Sequence, residues 1–153
     1  MTLTAHLLTR LDRFHPAPTA SAHCDGPCGV YDPASTRVAA EAVVSMTKKL
    51  QALDMSAPDH LNTYVRYVNI KEEQAQIVKD ELAILWSDYF KPEHLETFPD
   101  LHDTFWKAIK AASACKVSVS TEACDDLMAR VETIHNMFWQ SKGRDVPWVL
   151  ANP

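Results

Sequence analysis

Glycine is scarce in this sequence, with 3 in 153 residues. So few leave no Gly-rich phosphate loop and too little turn material for a fold of many tight hairpins. Basic residues are also outnumbered, 15 Lys and Arg against 20 Asp and Glu, for a formal net charge of −5. A general nucleic-acid binder needs a basic face, which that balance argues against. No apolar run approaches the roughly 18 residues of a membrane span. Arg10, Asp12 and Arg13 interrupt the first apolar residues, so no secretory h-region forms and the cytoplasm is the expected compartment. Four cysteines at this length do not make a disulfide scaffold. What is present is ordinary globular material, 46% hydrophobic and 23% charged. The length suits one domain, able to bury roughly 70% of its unfolded surface.

The cysteines are unevenly placed, and the sequence divides accordingly into residues 1–22, 23–31, 32–143 and 144–153. Thr2 to Phe14 has the pattern of two or three turns of amphipathic helix. His15-Pro16-Ala17-Pro18-Thr19-Ala20-Ser21-Ala22 follows, a Pro/Ala/Ser stretch typical of an accessible linker. Its small residues would suit a protease, so residues 1–22 read either as a disordered extension or as a removable pro-segment.

Directly after it comes His23-Cys24-Asp25-Gly26-Pro27-Cys28-Gly29-Val30-Tyr31-Asp32-Pro33. Gly26-Pro27 and Gly29 supply turn chemistry, so this segment can fold back and bring both sulfurs to one point. Thiolates are soft ligands and imidazole suits Zn, Cu, Fe and Ni, so a metal is the first reading. A zinc site needs a fourth ligand, and paired C-x2-C motifs are absent. The C-x3-C spacing is not that of a redox C-x-x-C pair. Two plain loop thiols beside a loop histidine remain the alternative.

The string H-C-D-x-P-C-G-x-Y-D-P resembles the nickel hook of the nickel-containing superoxide dismutases. The resemblance continues through Glu41, through Trp86-Ser87-Asp88-Tyr89-Phe90-Lys91-Pro92, and to Ile134-His135-Asn136-Met137-Phe138-Trp139. It implies an enzyme that converts superoxide to oxygen and hydrogen peroxide with one nickel per subunit. It also implies cleavage by a processing peptidase between Ala22 and His23, so that 1–22 is a pro-segment. Removing 22 of the 153 residues also removes one net positive charge, taking −5 to −6. By the same resemblance the metal is held by the His23 α-amine, the Cys24 amide and the Cys24 and Cys28 thiolates, with the His23 imidazole axial. Planar four-coordination suits Ni(II), and anionic donors stabilise Ni(III). Cleavage has a physical rationale, because an amide nitrogen is a poor neutral donor whereas a free α-amine titrates near pH 8 and can give up its proton to a metal.

Further expectations rest on that resemblance. Tyr31 stands at the open axial face, where its phenol can donate to a bound anion. Asp25 braces the hook, and Gly26-Pro27 is a candidate cis bond. Tyr89 and Lys91 approach the hook, whether from the same subunit or another, and the assembly is a homohexamer that encloses the hooks. In one respect the chain departs from the pattern. Better-studied members pair a Glu and an Arg behind the axial histidine, and the matching positions here hold Ala39 and Gln74. Losing both partners is nearly neutral where losing one would strand a charge. Gln74 and Glu41 are candidate replacements. The missing pair keeps a second function in view, a helical protein that binds nickel, copper or zinc without turnover; a third is a redox thiol protein in which Cys24 and Cys28 form a disulfide.

From Asp32 onward the pattern predicts an all-α fold, an antiparallel four-helix bundle behind the N-terminal hook. Asp32 caps the first helix and Pro33 opens it. Val43, Met46, Leu50 and Leu53 form its apolar stripe. A second helix over about 61–89 has Tyr64, Val68, Ala75, Val78, Leu82, Leu85 and Tyr89 on one face. A third, about 100–116, carries Leu101, Phe105, Ala108, Ala112 and Cys115. Ser120 or Thr121 caps a fourth with Leu127, Val131, Ile134 and Phe138 inward, and Gly143 ends it. Cys115 and Cys124 read as buried reduced thiols. His60, His94, His102 and His135 read as surface or capping residues. The apolar tail, 144–153, is expected to dock on a neighbouring subunit.

Overall fold

The computed structural model describes residues 29–151, all of whose regular structure is helical. Four helices make the bundle: α1 (Ala34–Gln51), α2 (His60–Ile84), α3 (Leu101–Val117) and α4 (Thr121–Ser141). Each packs on its sequence neighbours, and α4 closes the ring against α1.

The helix boundaries follow local chemistry. The Asp32 carboxylate accepts from the Ala34 amide at 2.8 Å, taking up an amide that the first turn leaves without a helical partner. The Ser120 hydroxyl does the same for Ala123 at 3.2 Å. Gly143, at φ 64°, ends α4 in the left-handed region. Its amide reaches the Gln140 carbonyl and the Arg144 amide reaches Trp139, both at 2.9 Å, as the helix-terminating Schellman arrangement requires.

The expected stripes hold in α3 and α4, where every named apolar position is buried. In α1 the buried set is Thr36, Ala39, Ala40, Val43, Thr47 and Leu50, while Met46 is only half-buried and Leu53, also half-buried, lies beyond the end of the helix. In α2 two corrections are needed. Tyr64 is exposed, because α2 is 25 residues long against 18 in α1 and its first ten residues include no buried position. Beyond Ile84 the helix widens into a π-helical turn, Leu85–Tyr89, closed by Phe90 N–H donating to the Leu85 carbonyl at 3.1 Å. Ser87 bonds back to the Ala83 carbonyl at 2.8 Å, and Pro92 bars continuation. Such turns re-aim side chains and recur at functional sites. A short 3-10 turn, Pro92–Glu96, then leads to α3.

The core runs through all four helices around Phe105 and Phe138, both fully buried. Trp86 stacks on Phe105 and donates from Nε1 to His102 Nδ1 at 2.9 Å. One charged side chain is among the most buried. Lys71 is 2% exposed, and its ammonium donates to the carbonyls of Cys115 and Lys116, the latter at 2.9 Å, with Glu72 at 3.4 Å. All three N–H donors have acceptors, and the charge sits at the C-terminus of α3, where the helix dipole favours it.

Candidate metal-hook site

His23, Cys24, Asp25, Pro27 and Cys28, with the Gly26-Pro27 bond, lie outside the described residues. The description begins at Gly29, where the hook joins the bundle. Gly29 has φ 68°, a left-handed conformation that glycine adopts without a side-chain clash. Asp32, at the cap of α1, fixes the other end of this short segment.

Gly29 and Tyr31 open on a cavity of about 450 Å³ that also takes in Asp88, Tyr89, Lys91, Glu93, His94 and Lys142. Tyr31, Tyr89 and Lys91, expected to meet at the hook, are therefore brought together within one chain. Three separate segments converge here: the start of the bundle, the π-helical turn with the 3-10 turn after it, and the end of α4.

Tyr89 is the post around which they assemble. Its ring meets Tyr31 at 5.6 Å between centroids, Phe90 at 4.9 Å, His94 at 5.7 Å and Phe138 at 4.5 Å. Ser141 Oγ donates to the Phe138 carbonyl at 2.7 Å, so at 2.6 Å it is the Tyr89 phenol that donates to Ser141. The Tyr89 hydroxyl is thus committed to α4, and its ring is what faces Tyr31. His94 is fixed as well, since Nδ1 accepts from the Lys91 amide at 2.9 Å and caps the 3-10 turn. Lys142 holds its ammonium 5.0 Å from the Tyr89 ring centre and 5.2 Å from that of Phe138, a cation–π position at the edge of the cavity. Lys142 escapes a reading by motif, because it belongs to no helix stripe; only the folding of α4 brings it beside Lys91.

The departures from the family pattern are equally well defined. Ala39 is 2% exposed and belongs to the core cluster, and Gln74 is half-buried on α2. Glu41 is not the solvated side chain that a helix surface suggests. It is 10% exposed, pairs with Arg37 one turn earlier, and accepts from the Ala151 amide at 2.8 Å.

That contact belongs to the tail, which packs on its own chain as far as Ala151. Arg144 lies 4.9 Å over Trp139, and Trp148 packs edge-on against His135 at 5.2 Å. His135 donates from Nε2 to the Val146 carbonyl at 2.9 Å. So His135 is a buried clamp, 6% exposed, not a surface residue. Its position one residue beyond Ile134, at the edge of the apolar stripe, is the signal that could have shown this. His60 and His94 do cap, as expected, with His60 Nδ1 2.7 Å from the Ala57 carbonyl. A second cavity, about 500 Å³, lies between α1, α4 and Trp148. Among the described residues no group of three or more His, Cys, Asp or Glu side chains is placed to hold a metal. No described helix is long and apolar enough to cross a membrane.

Comparison with known proteins agrees with this geometry. The family model for nickel-containing superoxide dismutase matches residues 18–142. The superoxide dismutase [Ni] of Streptomyces seoulensis is 43% identical over 136 residues, covering 89% of this chain and 98% of that protein. Its counterpart from Streptomyces coelicolor is 41% identical with the same coverage. A solved nickel-containing superoxide dismutase in the oxidised state superposes with a TM-score of 0.72 at 41% identity, over 79% of this chain and 99% of that one. A native nickel superoxide dismutase structure gives 0.71 at 38% identity, with the same coverage. The family match begins before the hook, at residue 18, and ends at 142, just past α4. The chain belongs to the nickel-containing superoxide dismutase family.

Proposed function

We propose that this chain is a nickel superoxide dismutase, acting in the cytoplasm after a peptidase cuts between Ala22 and His23. The observation that carries the reading is a family match whose range, 18–142, takes in both the hook at 23–31 and a bundle whose Tyr31 and Lys91 line one cavity. The donor set fits nickel: His23 offers an imidazole and, once cut, an α-amine, and Cys24 and Cys28 offer two soft thiolates. Nickel held there would supply one-electron chemistry, alternating between Ni(II) and Ni(III) as two superoxide anions and two protons become oxygen and hydrogen peroxide.

The chain's own residues do the rest. His23, Cys24 and Cys28 hold the metal, and Asp25 and Pro27 shape the loop that carries them. Tyr31 presents a phenol that can donate a hydrogen bond to a small anion. Tyr89 packs its ring against that of Tyr31 and so limits where the phenol can go. Lys91 and Lys142 bring positive charge to the approach, which raises the local concentration of an anionic substrate.

Assembly into a homohexamer is part of the proposal. Leu61, Tyr64, Val65 and Ile70 leave apolar surface exposed on the unburied first half of α2, and a short hook with little core of its own gains order from neighbours.

The test is metal analysis and electron spin resonance of the processed protein, with a dismutation assay. A stoichiometric nickel content, a rhombic Ni(III) signal split by an axial nitrogen, and activity abolished in Cys24→Ser and Cys28→Ser at unchanged helix content are expected. Bound zinc, a Cys24–Cys28 disulfide without nickel, or equal activity of cut and uncut chains would refute the reading. Nickel without turnover would instead favour storage or delivery.

A further inference from the structure

The bundle holds a second sulfur pair that the nickel chemistry does not use. Cys115, in the last turn of α3, and Cys124, in the first turns of α4, are each 1% exposed. They lie within hydrogen-bonding reach of each other across the short 118–120 connection. Cys115 Sγ donates to the Ala123 carbonyl at 3.3 Å, and Cys124 Sγ lies 3.3 Å from the Thr47 hydroxyl. The Lys71 ammonium is bonded to the Cys115 backbone carbonyl and acts electrostatically on both thiols.

Paired thiols next to a buried ammonium and a hydroxyl are more than two small apolar side chains filling a gap. We propose that Cys124 and Cys115 form a dithiol site that takes up hydrogen peroxide, with Cys124 as the attacking sulfur and Cys115 as the resolving one. The site rests on the dismutase reading only for its oxidant, since peroxide is the product released by that reaction.

The asymmetry comes from the surroundings. The single proton of Cys115 has two acceptors, Cys124 and the Ala123 carbonyl, and both keep it a thiol. Cys124 as a thiol donates to the Thr47 hydroxyl, and once ionised it can receive hydrogen bonds from Cys115 and from Thr47, with Lys71 nearby. The Cys115 thiol accordingly stabilises Cys124 as thiolate and lowers its pKa, while the same bond and burial push Cys115 upward.

In the first step the Cys124 thiolate attacks one peroxide oxygen. An S–O bond forms, the O–O bond breaks, and the departing hydroxide takes a proton to become water, leaving a sulfenic acid. In the second step the Cys115 sulfur attacks that sulfur. The S–S bond forms, the S–O bond breaks, and the oxygen leaves as water with the Cys115 proton. Two thiols and one peroxide give one disulfide and two waters; the sulfurs lose two electrons and the peroxide oxygens gain them. Peroxide enters when the end of α3 opens, a local fluctuation of a helix terminus whose last residue, Val117, is 88% exposed.

The test treats the purified nickel-loaded protein with added hydrogen peroxide, blocks free thiols under denaturing conditions, and maps peptides by mass spectrometry. The expected product is a Cys115–Cys124 cross-linked peptide, lighter by two hydrogens and reversed by dithiothreitol. In Cys115→Ser the cross-link is lost and a sulfenic-acid trap labels Cys124. In Cys124→Ser neither product forms. Both thiols recovered fully alkylated, or trapping on Cys115 rather than Cys124, would overturn the proposal. Because the peroxide is added, failure of the dismutase reading would show only in the separate activity assay.

Discussion

Replacing Tyr89 in two ways separates its hydroxyl from its ring. Tyr89→Phe removes the bond to Ser141 and leaves all four ring contacts. That should cost about 1 kcal/mol of stability, the usual net worth of such a bond. Activity should stay within about twofold of the parent, because the hydroxyl points to α4 and not to Tyr31. Tyr89→Leu keeps bulk but deletes the ring against which Tyr31 packs at 5.6 Å. An aromatic pair is worth about 0.5–1.5 kcal/mol beyond its buried area. If that energy positions the Tyr31 phenol, its loss corresponds to a fall of about 2- to 13-fold in kcat/KM. The assay is pulse-radiolysis or stopped-flow dismutation on nickel-loaded protein, with urea unfolding in parallel. A double-mutant cycle with Tyr31→Phe closes the argument. Once the phenol is gone, Tyr89→Leu should cost little further activity, so the two losses should not add. Additive losses, or a Tyr89→Leu protein as fast as the parent, would refute Tyr89 as the residue that positions Tyr31.

Three further outcomes are expected. Lys142→Met should lower kcat/KM at low ionic strength and flatten its dependence on added salt, while Lys142→Arg should retain both, measured by dismutation across a salt series. His135→Ala removes the hydrogen bond to Val146 and the edge contact with Trp148, so trypsin should cut after Arg144 several times faster, followed by mass spectrometry. Lys71→Met keeps the volume but leaves the Cys115 and Lys116 carbonyls without their buried donor; a loss of about 1–3 kcal/mol in urea unfolding is expected, with helix content retained.

Much of this was legible because it is local. The proposed donors of the hook lie within six consecutive residues, His23 to Cys28, so a linear reading can propose them. Helix ends were equally accessible, since Asp32, Ser120 and Gly143 act within a turn of themselves. What stayed hidden depends on partners distant in the chain. Lys71 falls at helical spacing with Ala75, Val78 and Leu82, but a charge on an apolar stripe reads as an interruption until the end of α3 arrives to accept its protons. Tyr64 has the right spacing and is nevertheless exposed, because spacing cannot tell how far the neighbouring helices extend. His135 is buried because the tail lies over it, and the π-helical turn arises from a competition among Ser87, Phe90 and Pro92 that periodicity does not register.

The same contrast bears on charge. A chain of net charge −5, or −6 after the proposed cleavage, is an awkward host for an anionic substrate if net charge is what the substrate meets. In physiological salt, however, fields between exposed charges fade over about 8 Å, so the groups around the entrance decide. There the cavity sets Lys91 and Lys142 against Asp88 and Glu93, a local balance of zero before positions are considered. Positions then favour the cations. Lys142 is held over the faces of Tyr89 and Phe138, which keeps its ammonium at the edge of the cavity. Among the described residues, the other acids do not line this cavity, and screening weakens their reach. Lys142 is thus the term that offsets an unfavourable total, and it reaches the entrance only because α4 ends at Gly143, one residue past the cation it delivers.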